Sequence, residues 1–386
     1  MSISDALNEE ITKSRLGKIS DLLEKSGIDV EQIGKVEKIR ISEWQGLTKN
    51  EDGTAEIHDL GGISVVISPQ WETGPEWPVI QQGPSIRLPK SPAIVKKSEE
   101  WDTAVILPDM QIGFFHCGDN EMEPTHDPDA IDCAIALVAY VKPKKVIMHG
   151  DNLDLPEMGK YRLSPAFQRT TQASINYATT MVARLRAASP GSEIVWIAGN
   201  HEERLVNYLI DNASAAFGLK KGNSPESWPV LSVPYLCRFE EYEIAYVPGY
   251  PAGVYWLNEK LKVIHGTKVK SGGSTAHAYL ATEKTSVLYG HIHRREWAEI
   301  TRDDYDGPKT ILAASAGCLA RCDGMVPSTR GGIDLNGRPM TVTENWQQGL
   351  CVVTYQDGDN PFHLEMIPIR AGKMFYRGKF WSKEDA

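Results

Sequence analysis

No stretch of this sequence approaches the ~18 consecutive apolar residues that a membrane span requires. The N-terminus also lacks a basic stretch followed by an apolar signal core, so a cytoplasmic protein with no membrane contact is expected. Cysteine is sparse: Cys117, Cys133, Cys237, Cys318, Cys322 and Cys351 are scattered, with no C-x-x-C pair. Cys318 and Cys322 are the closest, but no second Cys/His pair at zinc spacing accompanies them, so all six read as free thiols. Positive charge is in deficit, 41 Lys and Arg against 51 Asp and Glu, a net charge of −10. A protein that grips DNA over its whole surface is usually basic, because phosphate neutralisation drives that binding. Any contact with nucleic acid must therefore be local. Internal repeats, low-complexity tracts and heptad runs are absent as well.

What is present is an ordinary globular composition, 41% hydrophobic and 24% charged, in a chain of 386 residues with room for two or three domains. Residues 1–98 read as a small α+β module. Leu16, Ile19, Leu22 and Leu23 share one face of a helix expected over Ile11–Leu23, which Gly27 stops. Lys35–Trp44 and Ile63–Ile67 look like strands, with a turn signal at Asn50–Gly53 between them. From Pro69 to Pro92 the chain is rich in Pro, Gly and Trp and reads as a linker.

From Trp101 the pattern becomes strand–loop–helix alternation, so residues 99–386 are expected to form an α/β domain. Strands are expected at Thr103–Leu107, Lys145–Met148, Ile194–Ile197, Lys262–Ile264, Ser286–Tyr289, Val352–Tyr355 and His363–Ile369, the last two closing the fold. Asp127-Pro128 should cap a helix burying Ile131, Ile135 and Val138. A second helix is expected over Thr171–Ala187, with Ile175, Ala178, Val182 and Leu185 inward. Residues 303–345 read as a loop-rich rim or lid, apart from the strand-like Thr310–Ala314.

Five signatures follow predicted strands: Asp109-Met-Gln111, Gly150-Asp151 with Asp154, Gly199-Asn200-His201-Glu202, His265-Gly266, and Gly290-His291-Ile-His293. Carboxyl ends of strands are where ligands bind in open α/β folds. Two divalent cations ~3.5–4 Å apart need a group that touches both, and a carboxylate is the usual choice. Asp151 is the candidate bridge. Asp109 and His293 would complete one metal, and Asn200, His265 and His291 the other. Singly, such residues are more often caps or packed side chains; it is their order that points to a metal site. His149 reads as structural, His116 as a candidate substrate contact, and His58, His126, His277 and His363 as surface or packing residues.

The ordered set resembles the calcineurin-like metallophosphoesterase family, whose pattern is D-x-H, GD-x-x-D, GNH(D/E), an isolated His after a strand, and GH-x-H. The resemblance covers roughly Trp101 to Ala316 and implies a four-layered α/β sandwich, two mixed β-sheets flanked by helices. It implies two divalent metals, Mn²⁺ favoured, with Mg²⁺, Fe²⁺, Ni²⁺ and Zn²⁺ as alternatives. It also implies that His201 protonates or stabilises the leaving group while Asp154 orients it. Gln111 departs from the pattern by standing where the family has a histidine. Its neutral carbonyl is a weaker donor, so the first metal is expected to bind less tightly and to prefer Mn²⁺ or Mg²⁺ over Zn²⁺.

Arginines that neutralise a phosphomonoester dianion in the family's protein phosphatases are replaced by Ala198 and Leu155, which favours a phosphodiester. Arg162, Arg169, Arg204, Lys268, Lys270, Arg294 and Arg295 follow the signatures and could hold a nucleic-acid backbone. Trp297, Trp346 and Tyr161 could stack bases, although core packing is the simpler explanation of each. The segment from Tyr161 to Pro190 and Trp346–Gly349 are similar to phage-encoded members related to double-strand-break repair exonucleases, which would place the protein in the host cytoplasm. The chain lacks the coiled coil that binds the ATPase partner of those enzymes, and a homo-oligomer stays open. The expected activity is a two-metal DNA or RNA nuclease. A phosphomonoesterase or nucleotide phosphatase is the alternative enzyme, and a non-catalytic metal-containing binding protein the alternative class.

Overall fold

The computed structural model describes residue 25 and residues 33–49, 55–69, 101–118, 121–160, 163–327 and 344–386. Two compact units divide the chain, residues 1–82 and 83–386. This division falls within the stretch read as a linker, not at residue 98. In the first unit β1 (Ile33–Lys49) and β2 (Ala55–Pro69) pair antiparallel, with Trp44 opposite Leu60 and Leu47 opposite Ile57. Both strands contain and outrun the expected ones. The expected helix at 11–23, the turn at 50–53 and residues 70–92 of the expected linker lie outside the described residues.

The second unit begins with β3 (Asp102–Leu107), β4 (Phe114–Gly118), β5 (Glu121–Pro124), α1 (Pro128–Val141), β6 (Lys145–Met148), α2 (Thr171–Ala188) and β7 (Glu193–Ile197). Next come α3 (Glu202–Asn212), α4 (Val233–Leu236), β8 (Ile244–Val247), β9 (Val254–Asn258), β10 (Leu261–Ile264), α5 (Thr275–Leu280) and β11 (Ser286–Tyr289). It closes with β12 (Arg295–Asp304), β13 (Gly307–Ala316), β14 (Gly349–Tyr355), β15 (Phe362–Arg370), β16 (Lys373–Tyr376) and β17 (Lys379–Ser382).

These strands make a mixed α/β architecture. An eight-stranded sheet runs β17-β16-β15-β14-β3-β6-β7-β8, and a five-stranded sheet runs β12-β13-β11-β10-β9. The strands β3, β6, β7 and β8 are parallel, as are β10 and β11. Strand periodicity sorts their side chains. Val105, Leu107, Val146, Met148, Ile194 and Trp196 join one core with α1 and α2. The alternate residues Ala104, Ile106, Ile147, Val195 and Ile197 join a second core with Leu261, Val263 and Leu288 of the other sheet. A third core packs α5 against the far face of the five-stranded sheet through Tyr279, Leu280, Val287 and Tyr289. Burial on both faces is why the parallel strands read as unbroken apolar runs.

α1 starts where its cap predicts. The Asp127 carboxylate accepts the Ala130 N–H at 3.1 Å, Pro128 occupies the first turn, and Ile131, Ile135 and Val138 are buried. Each such buried side chain contributes roughly 1.5–3 kcal/mol. Among the described residues no helix is long and apolar enough to cross a membrane.

The expected strand Thr310–Ala314 lies within β13, but residues 303–309 differ from the expected loop. β12 and β13 pair over ten residues each, from Arg295 opposite Ala316 to Asp304 opposite Gly307. The outer half of this arm is solvated on both faces, so its sequence carries no apolar alternation to betray it. Residues 328–343 of the expected rim lie outside the described residues. β14 does not close an edge; it pairs with β3 in the middle of the larger sheet, and β15, β16 and β17 extend beyond it.

Candidate metal centre

All five signatures sit just past carboxyl ends of parallel strands: Asp109 after β3, Asp151 after β6, Asn200 after β7, His265 after β10, His291 and His293 after β11. Because both sheets point these ends the same way, residues far apart in sequence converge. Ligand atoms of Asp109, Asp151 and His293 lie within 4.8 Å of one another, and so do those of Asp151, His265 and His291. These buried His/Asp clusters could hold a metal ion, and Asp151 belongs to both. Asn200 joins the second, its Oδ1 lying 3.1 Å from His265 Nε2.

The backbone here is strained. Asp109, Gln111, Asp151, His291 and His293 have φ of 33°, 51°, 49°, 70° and 54°, a left-handed region costly for side-chain-bearing residues. Each costs on the order of 1–3 kcal/mol, and such outliers persist where surrounding structure enforces them at functional sites. The motif glycines make room. A Cβ at Gly290 would come within 2.6 Å of Asp109 Oδ2, and one at Gly199 would collide with Asp151 Oδ1.

Donor chemistry fits a cation. Asp109 Oδ2 and Gln111 Oε1 are buried oxygens without a hydrogen-bond partner. Leaving such atoms dry and unpaired is costly, and a divalent ion would satisfy both. The carbonyl of His149 can only accept, so His265 Nδ1, at 3.1 Å from it, donates, and Nε2 faces Asp151 at 3.2 Å. A carbonyl behind the ring fixing the imidazole in this way is the usual support of a metal-binding histidine. His293 lies with Nε2 3.2 Å from Asp109 Oδ1, and its ring packs edge-on to Trp346 at 4.1 Å. Imidazole, carboxylate and amide donors together suit borderline divalent metals.

Charge is unevenly shared. Burial works against the charge on Asp151, but the facing imidazoles of His201 and His265 hold its pKa well below the carboxylate range. Burial likewise opposes a charged His265, yet Asp151, Asp109 and Glu202 outweigh it and raise its pKa to about 9. Burial and the His265 charge push His291 down to about 4, leaving its lone pair free. Metal must therefore displace a proton from His265. Apparent Mn²⁺ affinity is expected to tighten by up to about tenfold per unit between pH 7 and 9 and to level off above. The folded pKa is raised, so without metal this group's stabilisation is present below the unfolded value of 6.5 and is lost as pH rises through about 9. Calorimetric titration across that range checks this, and a flat affinity would contradict it.

Glu202 is the residue whose role the sequence left unread. It is fully buried and accepts the backbone N–H groups of Asp151, Asn152, Leu153 and Gly199 at 3.0, 2.9, 3.2 and 2.8 Å. The Trp196 indole donates to it at 3.3 Å. Burial and the Asp151 charge push its pKa up, while N–H donors of Gly199 and Leu153 pull it down. It ties the two signature loops together. The motif placed a carboxylate beside His201, but three of its five donors come from a loop some fifty residues away.

His201 is buried, with Nδ1 2.9 Å from Asp154 Oδ1. On its other side Nε2 lies 2.9 Å from an Arg204 guanidinium nitrogen. A guanidinium has no lone pair to offer, so Nε2 accepts and Nδ1 carries the proton. Arg204 also donates to the Asp154 carbonyl at 2.6 Å and to its carboxylate at 3.2 Å. The other basic candidates differ. Lys268 donates to the Ala278 carbonyl and to Thr282 and lies over the Tyr279 ring. Arg294 donates to Glu296 and the Lys270 carbonyl. Arg169 is exposed, and Arg162 and Tyr161 lie outside the described residues. His116 contacts the Gln168 carbonyl at 3.0 Å, and His149 is buried as expected, its pKa lowered to about 4 by burial. All six cysteines are free, with Cys318 and Cys322 sulfurs 4.0 Å apart. No protein-family model and no curated protein matches the chain.

Proposed function

We propose that the chain is a metal-dependent phosphodiesterase of the calcineurin-like metallophosphoesterase type, acting on nucleic acid. The carrying observation is the pair of buried donor groups that share Asp151 next to the His201–Asp154 pair. Two facing sheets with helices packed against their outer faces support the four-layered reading. Asp109, Gln111, Asp151 and His293 would hold one divalent cation; Asp151, Asn200, His265 and His291 the other. Such a pair, Mn²⁺ by preference, supplies Lewis acidity and an activated water for in-line attack at phosphorus.

The chain's own residues do the rest. Ala198 and Leu155 are buried and uncharged, and among the described residues Arg204 brings a guanidinium to the centre, against His201. One cation matches the single charge of a diester. A phosphate oxygen drawing Arg204 away would free His201 Nε2 to take a proton and pass it to the departing alkoxide, with Asp154 holding the ring.

With Mn²⁺, bis-nitrophenyl phosphate is expected to be hydrolysed in preference to the monoester, and labelled DNA or RNA to be cut. Preference for the monoester would point to a phosphomonoesterase instead. Full metal occupancy with no ester cleaved would leave a binding protein. Gln111→His should tighten the first cation and shift preference towards Zn²⁺, because imidazole outcompetes an amide oxygen for it. Unchanged affinity and preference in a metal titration would refute that.

A further inference from the structure

A cavity of about 550 Å³ opens beside the donor set. Asn200, Arg204, Tyr208, Asp211 and Tyr250 are among the residues that line it. Tyr250 connects it to the centre, its ring 5.8 Å from that of His265. Arg204, Tyr208 and Asp211 fall at i, i+4 and i+7 of α3 and so share one face. From Arg204 to Asp211 the helix rises ~10 Å, about the length of a nucleoside. Tyr208 is 43% exposed on this face, although the buried face of α3 is formed by Leu205 and Leu209. Two cations, Arg204 and Lys160, and two carboxylates, Glu203 and Asp211, line the cavity, and Asp211, two helical turns from Arg204, is exposed.

We propose that this cavity is a subsite for a terminal nucleoside bearing no further phosphate, an assignment that rests on the phosphodiesterase reading. Its volume suits a nucleotide-sized ligand. Tyrosine faces can stack a base whatever its identity. The Asp211 carboxylate accepts hydrogen bonds from sugar hydroxyls or amino groups, whereas a second phosphate beside it would meet like charge. The site accordingly acts at a chain end or on a small diester, not on a strand threaded through it.

Adenylyl-adenosine, with or without a phosphate on either outer hydroxyl, tests this in Mn²⁺. The form whose added phosphate reaches Asp211 should lose at least tenfold in kcat/KM, mostly through KM, and Asp211→Lys should narrow that ratio tenfold. Equal use of all forms, or a ratio unmoved by Asp211→Lys, overturns the subsite. Adenosine binding to the metal-free protein, followed by calorimetry, should weaken at least tenfold in Tyr208→Ala. Bis-nitrophenyl phosphate hydrolysis without adenosine binding overturns the subsite alone. Adenosine binding that Tyr208→Ala weakens, with no ester cleaved, supports the subsite and removes the phosphodiesterase reading.

Discussion

Asp151→Asn is expected to lower phosphodiester turnover by about 10³-fold or more, beyond the 10–100-fold typical of altering an outer-shell partner. It should also erase the rise in melting temperature expected when Mn²⁺ is added to the unmodified protein. Among the described residues the two candidate donor groups share this carboxylate alone. Its Oδ1 accepts the His201 N–H at 2.8 Å while Oδ2 faces His265 at 3.2 Å. Asparagine keeps the shape and the first bond but removes the charge, so the fold should survive while the cations leave. Saturation at a hundred times Kd stabilises by about 2.7 kcal/mol. In a chain this long that is a rise of roughly 3–4 °C. A variant that still melts higher in Mn²⁺, or still turns over, would remove Asp151 from its central place.

Glu202→Gln should act on stability first. Four backbone N–H groups and one indole converge on this carboxylate. An amide must turn its NH₂ against at least one of those donors, and five donors are left without the charge they solvate. Breaking a buried charged network from one side costs roughly 3–5 kcal/mol. The melting temperature should fall by roughly 10 °C. The loop carrying Asp151 would loosen with it, so Mn²⁺ affinity should drop in the folded variant. Thermal melts with and without metal separate the two effects. A melting temperature within 2 °C or so of the parent would show that the N–H groups find other partners, water among them.

Much of the candidate site was legible because its signals are local. An apolar run, a glycine and then a polar residue mark the exit from a buried parallel strand, and five such exits in order already name the candidate ligands. The same locality explains α1, whose cap and apolar stripe lie within one segment. The β12–β13 arm escaped because a two-stranded ribbon in solvent needs no apolar alternation. Lys268 and Arg294 followed the signatures and read as candidate contacts for a nucleic-acid backbone, yet carbonyls and side chains of α5, its flanking turns and β12 take their charged ends.

Sequence alone determined the kinds of donor at this centre and their attachment to strand ends, since both follow from short-range hydrophobicity and turn chemistry. Tertiary structure decided which of them meet. Gln111 and His293, 182 positions apart, come within 3.4 Å only because two sheets pack face to face with their parallel strands ending on one side. It also decided the left-handed backbone at five candidate ligands, the clamp at Glu202 and the contact of Arg204 with His201. Each is a distance or an angle imposed by packing from elsewhere in the chain, and no local pattern of residues encodes it.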